Sequence, residues 1–154
     1  MENDIIHPNV KSSFEILEER FSNERIEWSK KITDMGVKLG KILEIPNLMI
    51  TLYTERQRAL EYYHYLISLL IGINKTYRKS YDERHDYYTN KIQVRYPNES
   101  TKHNRILVDL HEILQQRETL ENHAKFILGT VSTIDNIIYA IPRRIEIEQI
   151  SRGK

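Results

Sequence analysis

One apolar pattern in the C-terminal half of the chain constrains the fold more than any other feature. Between residues 106 and 141, eleven positions separated by alternating steps of four and three hold ten apolar side chains and one arginine, Arg117. Such a repeat places the apolar side chains in a single seam along a long helix, and the seam must face another long helix. A polar seam residue either fixes the register of two helices or turns its charged end toward water, and both interpretations of Arg117 stand. The seam positions are 106, 110, 113, 117, 120, 124, 127, 131, 134, 138 and 141.

A second long helix is predicted from Asn47 to about Tyr88. No proline interrupts this segment, and its apolar residues fall in two adjacent rows that form a broad face. About 40 residues at 1.5 Å each give a rod of roughly 60 Å. The two long helices therefore pair along their apolar faces.

The other segments cap or connect these helices. A first amphipathic helix is predicted from about residue 11 to 34, with Ser12 or Ser13 as its N-cap. Residues 36 to 46 are a kink or a connector, because they hold two glycines and Pro46. Residues 89 to 99 are a loop or hairpin connector, and Ser100 or Thr101 caps the next helix. Pro142 is expected to stop the seam helix, and a short last helix or a short strand follows it.

These elements predict an all-α fold. Only five glycines and four prolines punctuate 154 residues, too few for the frequent turns of a β-protein. We expect an elongated antiparallel hairpin of two long helices, with an N-terminal helical region at residues 1–45 and the hairpin at residues 46–154. One chain would leave part of the apolar stripe in water, so we expect self-association. The predicted contacts between copies are Ile127, Val131, Ile134, Ile138 and Ile141.

Composition limits the classes of function. With 23 basic and 22 acidic side chains the net charge is +1, so any affinity for nucleic acid must come from a local patch or its repetition in an oligomer. The chain has no cysteine, which excludes disulfides, thiolate zinc sites and cysteine nucleophiles, and favours the cytoplasm. The N-terminus has no signal-peptide pattern and no apolar run reaches a membrane-spanning length, so we expect neither export nor a membrane partner.

Catalytic and metal sites have little support in the sequence. The glycines of MGVKLGKI have neither the Walker spacing nor a preceding strand. The segments Glu61 to His64 and Asp82 to His85 resemble the Glu-x-x-His units of di-iron bundles, but both lie on one predicted helix, roughly 31 Å apart. No nucleophile elbow marks a Ser, His and Asp set. We therefore expect no enzyme activity, no metal and no cofactor.

Tyrosines and basic residues alternate near the end of the second long helix. Eight of the ten tyrosines lie between residues 53 and 88, and five basic residues are interleaved with the last four of them. Basic groups neutralise phosphates and tyrosine faces stack on unpaired bases, at roughly 1–3 kcal/mol per base, which favours single-stranded nucleic acid. Alternatively, the tyrosines are packing residues and the charges a solvated face that Asp82, Glu83 and Asp86 dilute. The candidate DNA-binding residues are Lys75, Arg78, Lys79, Arg84, Tyr87, Tyr88 and Lys91.

The stretch YDERHDYYTNK, residues 81 to 91, resembles the signature of the UvsY-like recombination mediators of tailed phages. In that signature a basic residue precedes a Tyr-Tyr pair by three positions, and Ser or Thr, Gly and a basic residue follow. The matching positions are Arg84, Tyr87, Tyr88 and Lys91. Two positions depart from the signature: Asp82 stands where a second basic residue can occur, and Asn90 replaces the glycine. The order of the flanking segments extends the likeness to about residues 46 to 153.

The resemblance implies a non-enzymatic protein that binds single-stranded DNA and promotes loading of a RecA-like recombinase in place of single-strand-binding protein, in phage recombination and repair. It further implies a ring-like homo-oligomer, a hexamer or heptamer, and the host cell cytoplasm if a phage encodes the chain. The alternative is a non-enzymatic coiled-coil adaptor or assembly protein that does not bind DNA.

Overall fold

The computed structural model describes residues 11–93 and 95–153, and every regular element in those ranges is helical. The α-helices are α1 (Ser13–Leu39), α2 (Ile45–Asp86), α3 (Glu99–Asp109) and α4 (His111–Ser151). A 3₁₀ turn at Ile42–Glu44 leads into α2, and a π-helical turn at Tyr87–Lys91 extends its end. The predicted all-α class, built on long helices, is confirmed.

Helices α2 and α4 form the antiparallel hairpin. They have 42 and 41 residues, so each is about 60 Å long. The seam of α4 faces α2, and the two seam residues that precede α4 are also buried, namely Ile106 in α3 and Leu110 just after it. The seam therefore packs within one chain, because the fold supplies it with a long partner helix.

Helix α1 packs along one half of this hairpin, parallel to α4, and shares two apolar clusters with it. The predicted boundary at residue 45 falls beside the turn before α2, but α1 belongs to the same core as the hairpin. Residues 1–10 of the predicted N-terminal region lie outside the described residues. The first cluster has Phe21, Ala59, Leu66, Leu120, Ala124, Ile127 and Val131 at its centre. The second has Met35, Ile45, Leu48, Leu52, Ile134 and Ile141.

The N-termini of α1 and α3 follow from capping side chains. Ser12 accepts a hydrogen bond from the Glu15 backbone N–H, and Glu15 Oε2 accepts one from the Ser12 N–H at 2.8 Å, which is the capping box expected there. Asn98 caps α3 by accepting from the Thr101 N–H at 2.8 Å, so the predicted caps at positions 100 and 101 are wrong. An asparagine side chain reaches that N–H as well as serine or threonine does.

Helix ends differ from the prediction where burial outweighs local propensity. Helix α1 continues through Gly36 to Leu39, because Met35 is buried in the second cluster. The seam helix is divided at Leu110, whose φ of −102° and ψ of 11° separate α3 from α4. Leu110 is itself buried.

Pro142 does not end α4, so the predicted separate last helix and the alternative strand are both wrong. A proline removes one backbone donor, which costs stability inside a helix. The residues around it compensate: Ile141 is buried, and Arg144 Nη2 donates to the Gly40 carbonyl at 3.1 Å. These contacts hold the last turns of α4 against the start of the hairpin.

The five residues predicted to join copies contact other residues of the same chain. Ile127, Val131, Ile134 and Ile141 are buried, and Ile138 packs against the second cluster. They belong to the core of this chain. Their predicted role between copies, like self-association itself, stays a prediction.

Helix α4 is long and apolar enough, by length and composition, to cross a membrane. A core helix of a water-soluble helical protein passes the same test, and the seam of α4 is occupied by α1 and α2. Its composition is therefore weak evidence for a membrane span.

Candidate nucleic-acid interface

The hairpin tip, defined as residues 74–93 and 95–117, contains all seven candidate DNA-binding residues. None of its described residues belongs to the two clusters that α1 shares with the hairpin. In sequence, residues 74–117 hold nine Lys and Arg against six Asp and Glu, whereas the whole chain has a net charge of only +1. Five of the ten tyrosines also lie there. Basic charge and aromatic surface are thus concentrated at one end of the molecule.

The two tyrosines of the signature have different environments. The Tyr88 hydroxyl donates to Asp109 Oδ2 at 2.5 Å and accepts from Arg105 Nε at 3.3 Å, and this carboxylate raises the pKa of Tyr88. Its ring makes edge contacts with Tyr87 and Tyr96, at centroid distances of 5.3 and 5.4 Å. Tyr88 therefore joins the end of α2 to α3, whereas Tyr87, with 42% of its surface exposed, can meet a ligand.

A buried lysine and a histidine fix α3 against α2. Lys102 Nζ donates to Thr89 Oγ1 at 3.0 Å and to Glu99 Oε1 at 2.7 Å, and the residue is buried. The Tyr81 hydroxyl lies 2.8 Å from His103 Nδ1. The sequence pattern did not indicate these anchors, because α3 and α2 meet only once the connector is folded.

The predicted basic residues fall into two groups. Lys79, Arg84 and Lys91 each have a carboxylate within 4.0 Å, namely Glu83 at 3.9 Å, Asp109 at 3.9 Å and Asp86 at 3.1 Å. The pairs of Lys79 and Lys91 are exposed on both sides, so they contribute little to stability and can exchange for a phosphate, whereas Asp109, the partner of Arg84, is largely buried.

Lys75 and Arg78 form the second group. Both are exposed, and neither has a carboxylate within 4.0 Å among residues 11–93 and 95–153. They are the most available of the predicted phosphate contacts.

Arg117, the exception in the seam, turns outward. Its guanidinium carbon lies 5.8 Å from the centre of the Tyr77 ring, and its Nε lies 3.5 Å from Glu121 Oε1. The interpretation that its charged end reaches water is confirmed, since 37% of its side-chain surface is exposed to solvent. Arg117 therefore adds a cation beside an aromatic ring of the tip. In the sequence it was recognisable as the one polar residue among the apolar seam positions.

A second polar cluster lies away from the tip, between α1, α2 and α4. His123 is fully buried, its ring stacks on Phe21 at a centroid distance of 3.9 Å, and its Nε2 lies 2.8 Å from Glu24 Oε2. The same carboxylate accepts hydrogen bonds from the Tyr62 hydroxyl and, at 2.9 Å, from Arg20 Nε. The spacing of Arg20 and Glu24 places both on one face of α1, but no sequence pattern linked this pair to Tyr62 on α2 or to His123 on α4.

The histidine units considered for metal binding both lie on α2. In the part of the chain that the structure describes, no cluster of three or more His, Asp or Glu side chains could hold a metal ion.

Comparisons with protein-family models, with curated proteins and with solved structures found no match to this chain.

Proposed function

We propose that this chain is a non-enzymatic protein that binds single-stranded DNA and mediates recombination, by promoting the loading of a RecA-like recombinase in place of single-strand-binding protein. The observation that supports DNA binding is the concentration of tyrosines and basic residues in the hairpin tip, where Lys75 and Arg78 are exposed without a carboxylate partner among the described residues. The mediator role, in phage recombination and repair, is supported by the resemblance of residues 81 to 91 to the UvsY-like signature.

Single-stranded DNA fits the tip better than a duplex does. Unpaired bases offer faces that stack on exposed rings such as Tyr87, while Lys75 and Arg78 neutralise phosphates. With a net charge of +1 the affinity of one chain is weak, but a ring of copies would repeat the tip along one strand and gain avidity. Binding should weaken steeply with salt, because each neutralised phosphate releases a counterion.

The test replaces the two unpaired basic residues together, Lys75→Ala with Arg78→Ala. Fluorescence anisotropy with labelled oligo-dT across a salt series should show weaker binding at low salt. It should also show a salt slope of log K smaller by up to about 1.4, since each phosphate contact on a single strand contributes about 0.7.

The matched control is Lys125→Ala with Arg143→Ala, which removes the same charge from exposed positions on α4 outside the tip. The control should retain the wild-type slope. If the tip variant instead binds as tightly and with the same slope as the wild type, Lys75 and Arg78 do not belong to the site.

The adaptor alternative has its own supporting observation at the other end of the hairpin. There α2 and α4 leave a groove of about 530 Å³ whose lining includes Met49, Tyr53, Tyr139 and Ile145. Tyr139 is 79% exposed and Tyr53 is 54% exposed. A wild-type protein that binds no oligonucleotide even at low salt would favour an adaptor that uses this apolar groove.

A further inference from the structure

A groove in the hairpin tip has walls suited to a planar aromatic ligand. It has a volume of about 380 Å³ and is lined by Tyr77, Arg78, Tyr81, Asp82 and His103. The Tyr77 and Tyr81 rings have centroids 6.1 Å apart, and the Tyr81 and His103 rings have centroids 5.6 Å apart. The hydrogen bond between Tyr81 and His103 fixes the α3 wall to the α2 wall. A nucleobase has the flat, apolar faces that such walls stack against.

Asp82 is unusual among the acidic residues around this groove. Four neighbouring carboxylates each have a basic partner within 4.0 Å: Glu83, Asp86, Glu99 and Asp109. Among residues 11–93 and 95–153, Asp82 has no hydrogen bond and no ion pair. Arg78 precedes it by four positions on α2, a spacing at which helical ion pairs can form, but the two side chains are not paired. Arg78 and Asp82 therefore both line the groove with their charges available to a ligand.

We propose that this groove is a guanine subsite. The Asp82 carboxylate accepts hydrogen bonds from N1–H and the N2 amino group of one unstacked guanine, Arg78 neutralises an adjoining phosphate, and the tyrosine walls contact the base. This inference rests on the proposed binding of single-stranded DNA and adds a base preference to it. It also gives a role to Asp82, the residue that departs from the signature by placing a negative charge in a basic site.

Guanine is selected by the pattern of donors on its Watson–Crick edge. A carboxylate only accepts hydrogen bonds, and its two oxygens match two donors side by side. Guanine presents such a pair, N1–H and N2–H. Adenine and cytosine place a ring-nitrogen acceptor beside their amino group, and thymine places its single N–H between two carbonyl oxygens. A two-point contact to the other bases would therefore set one carboxylate oxygen against an acceptor.

The test compares the affinity of the full chain for three labelled oligonucleotides: oligo-dT, and the same strand with regularly spaced guanines or adenines. The wild type should bind the guanine strand about fivefold or more tightly than the adenine strand, at the lower end of base discrimination because the groove is open. Hypoxanthine, which keeps N1–H but lacks the amino group, should give an intermediate affinity. Asp82→Ala should abolish the preference while binding oligo-dT as tightly as, or more tightly than, the wild type.

Glu112→Ala is the matched control, because Glu112 is another exposed tip carboxylate that does not line the groove. It removes the same charge, so it should strengthen binding of all three strands equally and keep the guanine preference. Equal affinity of the wild type for the guanine and adenine strands would overturn the subsite while leaving DNA binding intact. Failure to bind any strand at low salt would overturn the proposed function as well.

Discussion

Glu24 is the residue through which three helices are joined. From α1 its carboxylate accepts hydrogen bonds from Tyr62 on α2 and Arg20 on its own helix, and it meets His123 on α4. Burial alone would raise the pKa of Glu24, but these three partners together lower it, so the carboxylate stays ionised in the fold. Burial and the bond to Glu24 raise the pKa of Tyr62, which therefore remains a donor. The cluster holds α1 on the hairpin by polar contacts in addition to the apolar ones.

His123 should make the stability of the fold depend on pH. Burial lowers its pKa below the ordinary value, because a protonated ring would bury a charge and its Nδ1 has no hydrogen-bond partner among the described residues. The unfolded chain therefore takes up a proton more readily than the folded chain as the pH falls below about 6.5. The contribution of a neutral His123 is present in full above that pH and is lost as the pH falls through the lowered pKa of the folded state.

Urea unfolding at about pH 7.5 and about pH 5.5 measures this effect. The wild type should lose free energy of unfolding at the lower pH, and His123→Phe should lose less, because phenylalanine preserves the stacking on Phe21 and does not titrate. The same loss in both proteins would show that His123 is not the group responsible. A sequence alone could not have indicated this residue, since its environment depends on three helices that meet only in the folded chain.

At the scale of the helices, the apolar periodicity predicted which segments form long helices, but the sequence did not predict where those helices end. The α4 seam could be predicted because ten of eleven positions share one chemical character, and burying them outweighs any single local preference. No glycine or proline near Leu110 indicates the break between α3 and α4. Pro142 predicts a helix end, but α4 continues through it because the surrounding residues are packed. The sequence predicted which residues of the tip are basic and aromatic. That Tyr88 and Lys102 join α3 to the end of α2 could be seen only from the positions of the two helices.

Replacing Pro142 measures how much the interruption of α4 costs. Pro142→Ala restores a backbone donor to an exposed position inside the helix and removes the clash of the ring with the preceding turn. We expect the free energy of unfolding to rise by about 1–3 kcal/mol, measured by urea denaturation. Gln149→Ala is the control, since this exposed substitution on the same helix restores no donor and should change stability by no more than about 0.5 kcal/mol. A destabilised Pro142→Ala protein would mean that the packing of Arg144 on Gly40 requires the proline.

Across the whole molecule, the hairpin separates two surfaces of different chemistry by most of its length of about 60 Å. The tip carries the basic and aromatic residues, and the opposite end carries the apolar groove that includes Tyr53 and Tyr139. Since the α4 seam is occupied within the chain, this exposed groove is a surface available for the self-association that the sequence predicts. A contact at that end would leave every tip free to meet DNA.

This separation predicts that oligomer size and intrinsic DNA affinity can be changed independently. Tyr53→Ser with Tyr139→Ser removes two exposed rings at little cost to folding, and we expect it to reduce the mass in solution measured by light scattering. The variant should bind a short oligo-dT that reaches one tip as tightly as the wild type does. It should bind a long strand about 100-fold or more weakly, because repeated tips no longer share one strand.

Ile16→Ser with Ile26→Ser, on the exposed face of α1, is the control and should leave both the mass and long-strand binding unchanged. An unchanged mass in the groove variant would place the contact between copies elsewhere, whereas a reduced mass with undiminished long-strand affinity would remove avidity from the mechanism.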